Sequence, residues 1–176
     1  MRFPFIDRVA LPAEFVRHVP GELHPDGRRY LPVLIFRLAD GLELALVDRH
    51  HRVPLEQQGQ TGTLRVVSSL SQITLQPVGA QRRGLVADAG ARHAVTAPAA
   101  YGEVLAVPSW EPEQGHLPYE YVYTELLLDI GLGTIGVRTA MTGDDLTAII
   151  GKPQLAPHDW VALSPSRLDV LGFQSD

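Results

Sequence analysis

Alternation of apolar and polar residues at a spacing of two dominates the chain. Leu42, Leu44 and Leu46 alternate with Glu43, Ala45 and Val47, which makes one strand face strongly apolar. The apolar run 31–38 (LPVLIFRL) precedes them, and Ala39-Asp40-Gly41 separates the two. An Asp-Gly pair between apolar runs signals a hairpin, because glycine accepts the positive φ such turns require. Further strands are expected at 64–67, 71–75, 102–107, 160–163 and 167–171, with a fragment at Leu85-Val86. A second hairpin is expected from 119–130 (YEYVYTELLLDI) through Gly131-Leu132-Gly133 to 134–139.

Two segments read as helices. Residues 11–19 (LPAEFVRHV) place Phe15, Val16 and Val19 at helical spacing, with Pro20-Gly21 as a stop. Residues 144–150 carry Leu146, Ile149 and Ile150 on one helical face; Thr142 with Asp145 suits a capping box, and Gly151 a C-terminal stop.

The pattern also repeats. Ser69-Leu70-Ser71-Gln72-Ile73-Thr74-Leu75 and Ser164-Pro165-Ser166-Arg167-Leu168-Asp169-Val170 share S-x-S-x-[I/L]-x-[L/V] at an offset of 95. At an offset of 93, Tyr30 falls on Tyr123 and Val33-Leu34-Ile35 on Leu126-Leu127-Leu128. Each half then runs hairpin, excursion, strand, Ser-x-Ser corner, strand, as expected of a duplication in which one copy covers the sheet edges of the other. The expected fold is mainly β: two small antiparallel barrel-like (OB/TOBE-like) halves with one or two short helices. The halves are residues 1–80, with a short leading helix, and 101–176, joined by a Gly/Ala-rich connector at 81–100.

Gly102-Glu103-Val104, the hairpin TELLLDIGLGTIGVRT at 124–139, the spacing to His158-Asp159-Trp160-Val161 and the closing RLDVLGF together resemble TOBE, a small OB-type barrel. That family follows the ATPase domain of ABC transporters and occurs in molybdate-binding proteins. The resemblance covers 102–173, with a diverged second copy in 30–77, and implies a barrel. It carries over no ligand residue, because the arginine-asparagine-rich oxyanion motif and a Walker A loop are both missing.

Composition narrows the chemistry. The 176 residues include no cysteine, which removes disulfides, thiolate nucleophiles and cysteine metal sites. A formal charge of −5 argues against non-specific coating of nucleic acid. The N-terminal Met1-Arg2-Phe3-Pro4-Phe5 lacks a signal-peptide pattern, and no apolar run is long enough to span a membrane, so a cytoplasmic location is expected.

Candidate ligand-binding residues form three groups. Arg49, His51 and Arg52 sit in the run Asp48-Arg49-His50-His51-Arg52, where arginine beside histidine suits phosphate better than a cation. Arg28-Arg29 forms a second basic pair. Trp110 with Tyr119, Tyr121 and Tyr123 forms an aromatic group, the three tyrosines sharing one strand face. His158, Asp159, Ser164 and Ser166 hold the letters of a hydrolytic triad but lie within nine residues, whereas triads draw on separate elements. No catalytic residue, cofactor or metal is expected. The leading expectation is a non-enzymatic binding or assembly module acting through a protein partner or as a homo-oligomer. Single-stranded nucleic-acid binding and capture of a small oxyanion between the lobes are the alternatives; no membrane partner is expected.

Overall fold

The computed structural model describes residues 3–87, 95–108 and 124–176. The protein is mainly β. In the first half the strands are β1 (Leu11–Val19), β2 (Val33–Leu38), β3 (Glu43–Val47), β4 (Thr61–Ser69) and β5 (Ile73–Leu75). A short β6 (Gly84–Val86) lies in the connector. The second half holds β7 (Ala99–Ala106), β8 (Thr124–Asp129), β9 (Thr134–Thr139), α1 (Gly143–Ile150), β10 (Trp160–Leu163) and β11 (Leu168–Ser175). No helix among the described residues is long and apolar enough to cross a membrane.

The helix expected at 11–19 is a strand. Leu11, Ala13 and Phe15 are buried in alternation, and the segment pairs with β2 on one side and β4 on the other. A register shift between Phe15 and Arg17 inserts one extra residue. Such a bulge breaks the period of two and leaves Phe15, Val16 and Val19 at a spacing that imitates a helix. The second helix stands as expected. The Thr142 hydroxyl accepts from the Asp145 amide at 3.2 Å, the Asp145 carboxylate accepts from the Thr142 amide at 2.8 Å, and Gly151 closes the helix at φ 77°.

The eleven strands of the described residues form one sheet that is not closed into a barrel. Its path is β3-β2-β1-β4 followed by β9-β8-β7-β10, so the order third-second-first-fourth occurs once in each half. The fifth strands are exchanged: β5 pairs with β10, and β11 with β4. An offset of 95 relates the two exchanged pairings. Ile73 faces Leu163 as Leu168 faces Ser68, and Leu75 faces Val161 as Val170 faces Val66. The Ser-x-Ser corners obey the same relation, since the Ser69 amide donates to the Arg167 carbonyl and the Ser164 amide to the Gln72 carbonyl, both at 3.0 Å. In the hairpins the turns differ in length, five residues between Arg37 and Glu43 and four between Asp129 and Thr134, so no single offset runs through them. The halves are joined by the parallel pairing of β4 with β9 as well as by the exchange.

The exchange also builds the core. Phe173 of β11 packs at 6.2 and 5.3 Å from the rings of Phe15 and Phe36, which stack on each other at 5.0 Å. A second, smaller cluster joins Phe3 and Val9 to Val67 and Leu127. Gly136 makes room for it: a Cβ there would lie 2.7 Å from the Phe3 ring. This packing seats the N-terminal segment against the sheet, and the cavity described next has that segment as one wall. The connector covers an edge, with the Thr96 amide donating to the Ala45 carbonyl and the Ala45 amide to the Thr96 hydroxyl.

Candidate anion-binding cavity

Beside the β4–β9–β11 junction lies a cavity of about 910 Å³. Four arginines reach it from three elements: Arg49 and Arg52 from the loop after β3, Arg138 from β9, and Arg167 from the second Ser-x-Ser corner. His50 and Asp169 complete the charged and titratable lining. Apolar wall is supplied by Phe3, Ile6, Val47, Val67, Val170 and Leu171.

Each basic group is placed by identifiable chemistry. Asp48 is 3% exposed, and its two oxygens accept from the His50 amide at 3.2 Å and the Val53 amide at 2.7 Å. This wraps the loop around a buried carboxylate and drives His51 to φ 50°, a left-handed conformation that side-chain-bearing residues seldom adopt. Arg138 is anchored through Nε to Glu125 at 2.6 Å, and its Nη2 is buried without a hydrogen-bond partner among the described residues. Arg167 is anchored by Asp169, with Nε 2.7 Å from Oδ1 and Nη2 3.0 Å from Oδ2. Asp169 accepts a further hydrogen bond, 2.6 Å, from the Ser69 hydroxyl. Burial alone would raise the Asp169 pKa. Hydrogen bonds from Arg167 and Ser69, with the charges of Arg167 and Arg49, outweigh it and hold the carboxyl below its ordinary range.

The charge balance of the cavity is therefore positive within an acidic chain. Arg138 and Arg167 have carboxylate partners, whereas Arg49 and Arg52 make no contact ion pair with the described residues. Guanidinium forks pinned along one edge present their remaining N–H groups in fixed directions, which suits planar or tetrahedral oxyanions.

The duplicated frame supplies an internal comparison. The first Ser-x-Ser corner and the segment after β9 enclose a crevice of about 310 Å³, lined by Leu70, Ser71, Gln72, Thr139, Ala140, Met141, Asp145 and Ile149. It faces the same pair of elements as the large cavity, with the halves interchanged. Gln72 stands where the other corner has Arg167, and Thr74 where it has Asp169. Only one of the two equivalent crevices carries arginines.

Of the residues singled out by sequence, Arg49 and Arg52 line the cavity, with His50 there rather than His51. Arg28 and Arg29 lie instead in the loop between β1 and β2, where the Arg28 amide donates to Asp26 and Arg29 to the Gly21 carbonyl. Trp110, Tyr119, Tyr121 and Tyr123 lie outside the described residues. His158 pairs with Glu103 at 2.8 Å, while the Ser164 hydroxyl accepts from the Gln72 amide, so these two are engaged separately. Among the described residues no group of three or more His, Asp or Glu side chains is placed to hold a metal ion. Sequence reasoning missed Arg138, Arg167 and Asp169. The signal for the last two was the repeat itself, at positions where the copies differ in charge.

No family model, no curated protein and no solved structure matches the chain. The barrel expected over 102–173 is not found as such, since the strands of that region belong to the one open sheet.

Proposed function

We propose that the protein is a non-enzymatic binding module that captures a small anionic ligand in the cavity between its halves. The observation carrying this reading is the convergence of four arginines on one cavity with a single lining aspartate. Isolated surface arginines would not be expected to converge from three elements, with two of them pinned by carboxylates and one guanidinium nitrogen buried and unpartnered. The electrostatic focusing of a concave, partly apolar wall strengthens attraction for an anion even in a protein of net negative charge.

The test is the response of arginine side chains to inorganic pyrophosphate, followed by NMR of their Nε–H groups. Arg49, Arg52, Arg138 and Arg167 are expected to shift in a saturable manner, and Arg28 and Arg29 are not. Uniform, non-saturating shifts of all arginines would remove the proposal.

A further inference from the structure

The size and wall of the cavity specify more than charge. We infer that its ligand is an organic phosphate monoester with an apolar body, the phosphate held by the arginines and the body by the apolar wall. This rests on the anion-binding reading above and narrows its ligand class.

The charge count comes first. With Arg138 matched by Glu125 and Arg167 by Asp169, the cations without a contact partner among the described residues are Arg49 and Arg52. Arg49 also acts on Asp169, and the buried Asp48 carboxylate sits in the same loop, so the four guanidinium groups exceed the nearby carboxylates by one, a surplus that favours an anionic head. A phosphate monoester carries about −1.5 to −2 near neutral pH, whereas a single carboxylate carries half of that. Its three terminal oxygens can also be shared among several guanidinium forks, while a carboxylate offers two.

Volume comes next. Cavities of about 300–1,000 Å³ accept drug-sized molecules, and this one, at about 910 Å³, is far roomier than a bare oxyanion needs. Apolar surface beyond the phosphate comes mainly from the half-buried Ile6, Val47 and Leu171, because Phe3, Val67 and Val170 are only 2–4% exposed. None of these side chains offers a hydrogen bond. A hydroxyl pressed against that stretch of wall would lose water without replacement, whereas an aromatic or aliphatic body gains from burial there. The equivalent crevice sharpens the contrast, being smaller and without arginine.

The experiment compares calorimetric titrations of the full chain with phenyl phosphate, inorganic phosphate and benzoate under one buffer and salt condition. Phenyl phosphate is expected to bind at least about tenfold more tightly than inorganic phosphate, as burial of the ring predicts, and more tightly than benzoate. Ile6→Ser and Val47→Thr alter the wall at half-buried positions outside the main core; each should shrink the ratio of phenyl phosphate affinity to inorganic phosphate affinity measured on the same variant. Equal affinity for phenyl and inorganic phosphate overturns this inference but leaves an anion site standing. Benzoate binding as tightly as phenyl phosphate overturns the choice of phosphate. Absence of binding by all three removes the anion-binding reading itself.

Discussion

The hydroxyl of Ser69 donates to the carboxylate of Asp169 at 2.6 Å, joining the corner of the first half to the exchanged strand of the second. Asp169 in turn fixes Arg167 through two contacts. The relationship is local to one corner, because the position related to Asp169 by the repeat is Thr74.

Ser69→Ala is therefore expected to cost about 1 kcal/mol, the net worth of an ordinary hydrogen bond, since solvent at this half-buried carboxylate discounts the larger value of a charged partner. The effect is linked to pH. Asp169 has a depressed pKa in the folded state, so its contribution is present above the ordinary carboxylate value, about 3.9, and is lost as pH falls through the lower folded value. Removing the Ser69 bond moves the folded value back up. Urea denaturation between pH 7 and pH 3 should show the variant losing this contribution at a higher pH than the parent; superimposable pH profiles would contradict the assignment.

Glu125 is 7% exposed and lies against Arg138, whose side chain is itself largely covered. Glu125→Ala leaves that guanidinium buried and unpaired, a change that costs about 3 kcal/mol where burial is substantial. Urea unfolding should register this loss. A variant as stable as the parent would mean that Arg138 turns to solvent.

Phe173 measures the exchange of fifth strands. It reaches across to Phe15 and Phe36, so Phe173→Ala should destabilise by about 3–5 kcal/mol despite its position three residues from the end of the sequence. Thermal and urea unfolding both test this. A loss below about 1 kcal/mol would show that β11 does not complete the core of the first half.

Gly136→Ala places a Cβ into the Phe3 ring and should cost about 1–3 kcal/mol through overpacking. Phe3→Leu in the same chain relieves the clash. The double variant should be more stable than the sum of the single effects predicts, with a coupling readable in a double-mutant cycle. Strict additivity would place the Phe3 ring elsewhere.

Much of the strand content was legible because hairpins write themselves locally: Asp40-Gly41 between leucine-rich runs needs no distant information. The capping box at Thr142 and Asp145 was legible for the same reason. Residues 11–19 misled because a single bulge near Val16 resets the alternation, and a bulge is dictated by the strands on either side. Exchange of β5 and β11 was equally hidden, since both strands would look alike paired within their own half. The cavity was half visible. Arg49 and Arg52 stood out as a cluster, but Arg138 and Arg167 are single residues in ordinary strand and corner sequences, and only the fold carries them to the same place.

The most direct test of the central claim is a low-salt calorimetric titration of inorganic pyrophosphate into the protein and into an Arg49→Ala, Arg52→Ala double variant. Both arginines are exposed, so the variant should fold normally, and its circular dichroism spectrum checks this. The parent is expected to show saturable binding that weakens as salt is raised, and the folded variant at least about tenfold weaker binding, as loss of two charge-assisted contacts requires. Equal affinity in the two proteins, or no heat from the parent, would contradict an anion site in this cavity.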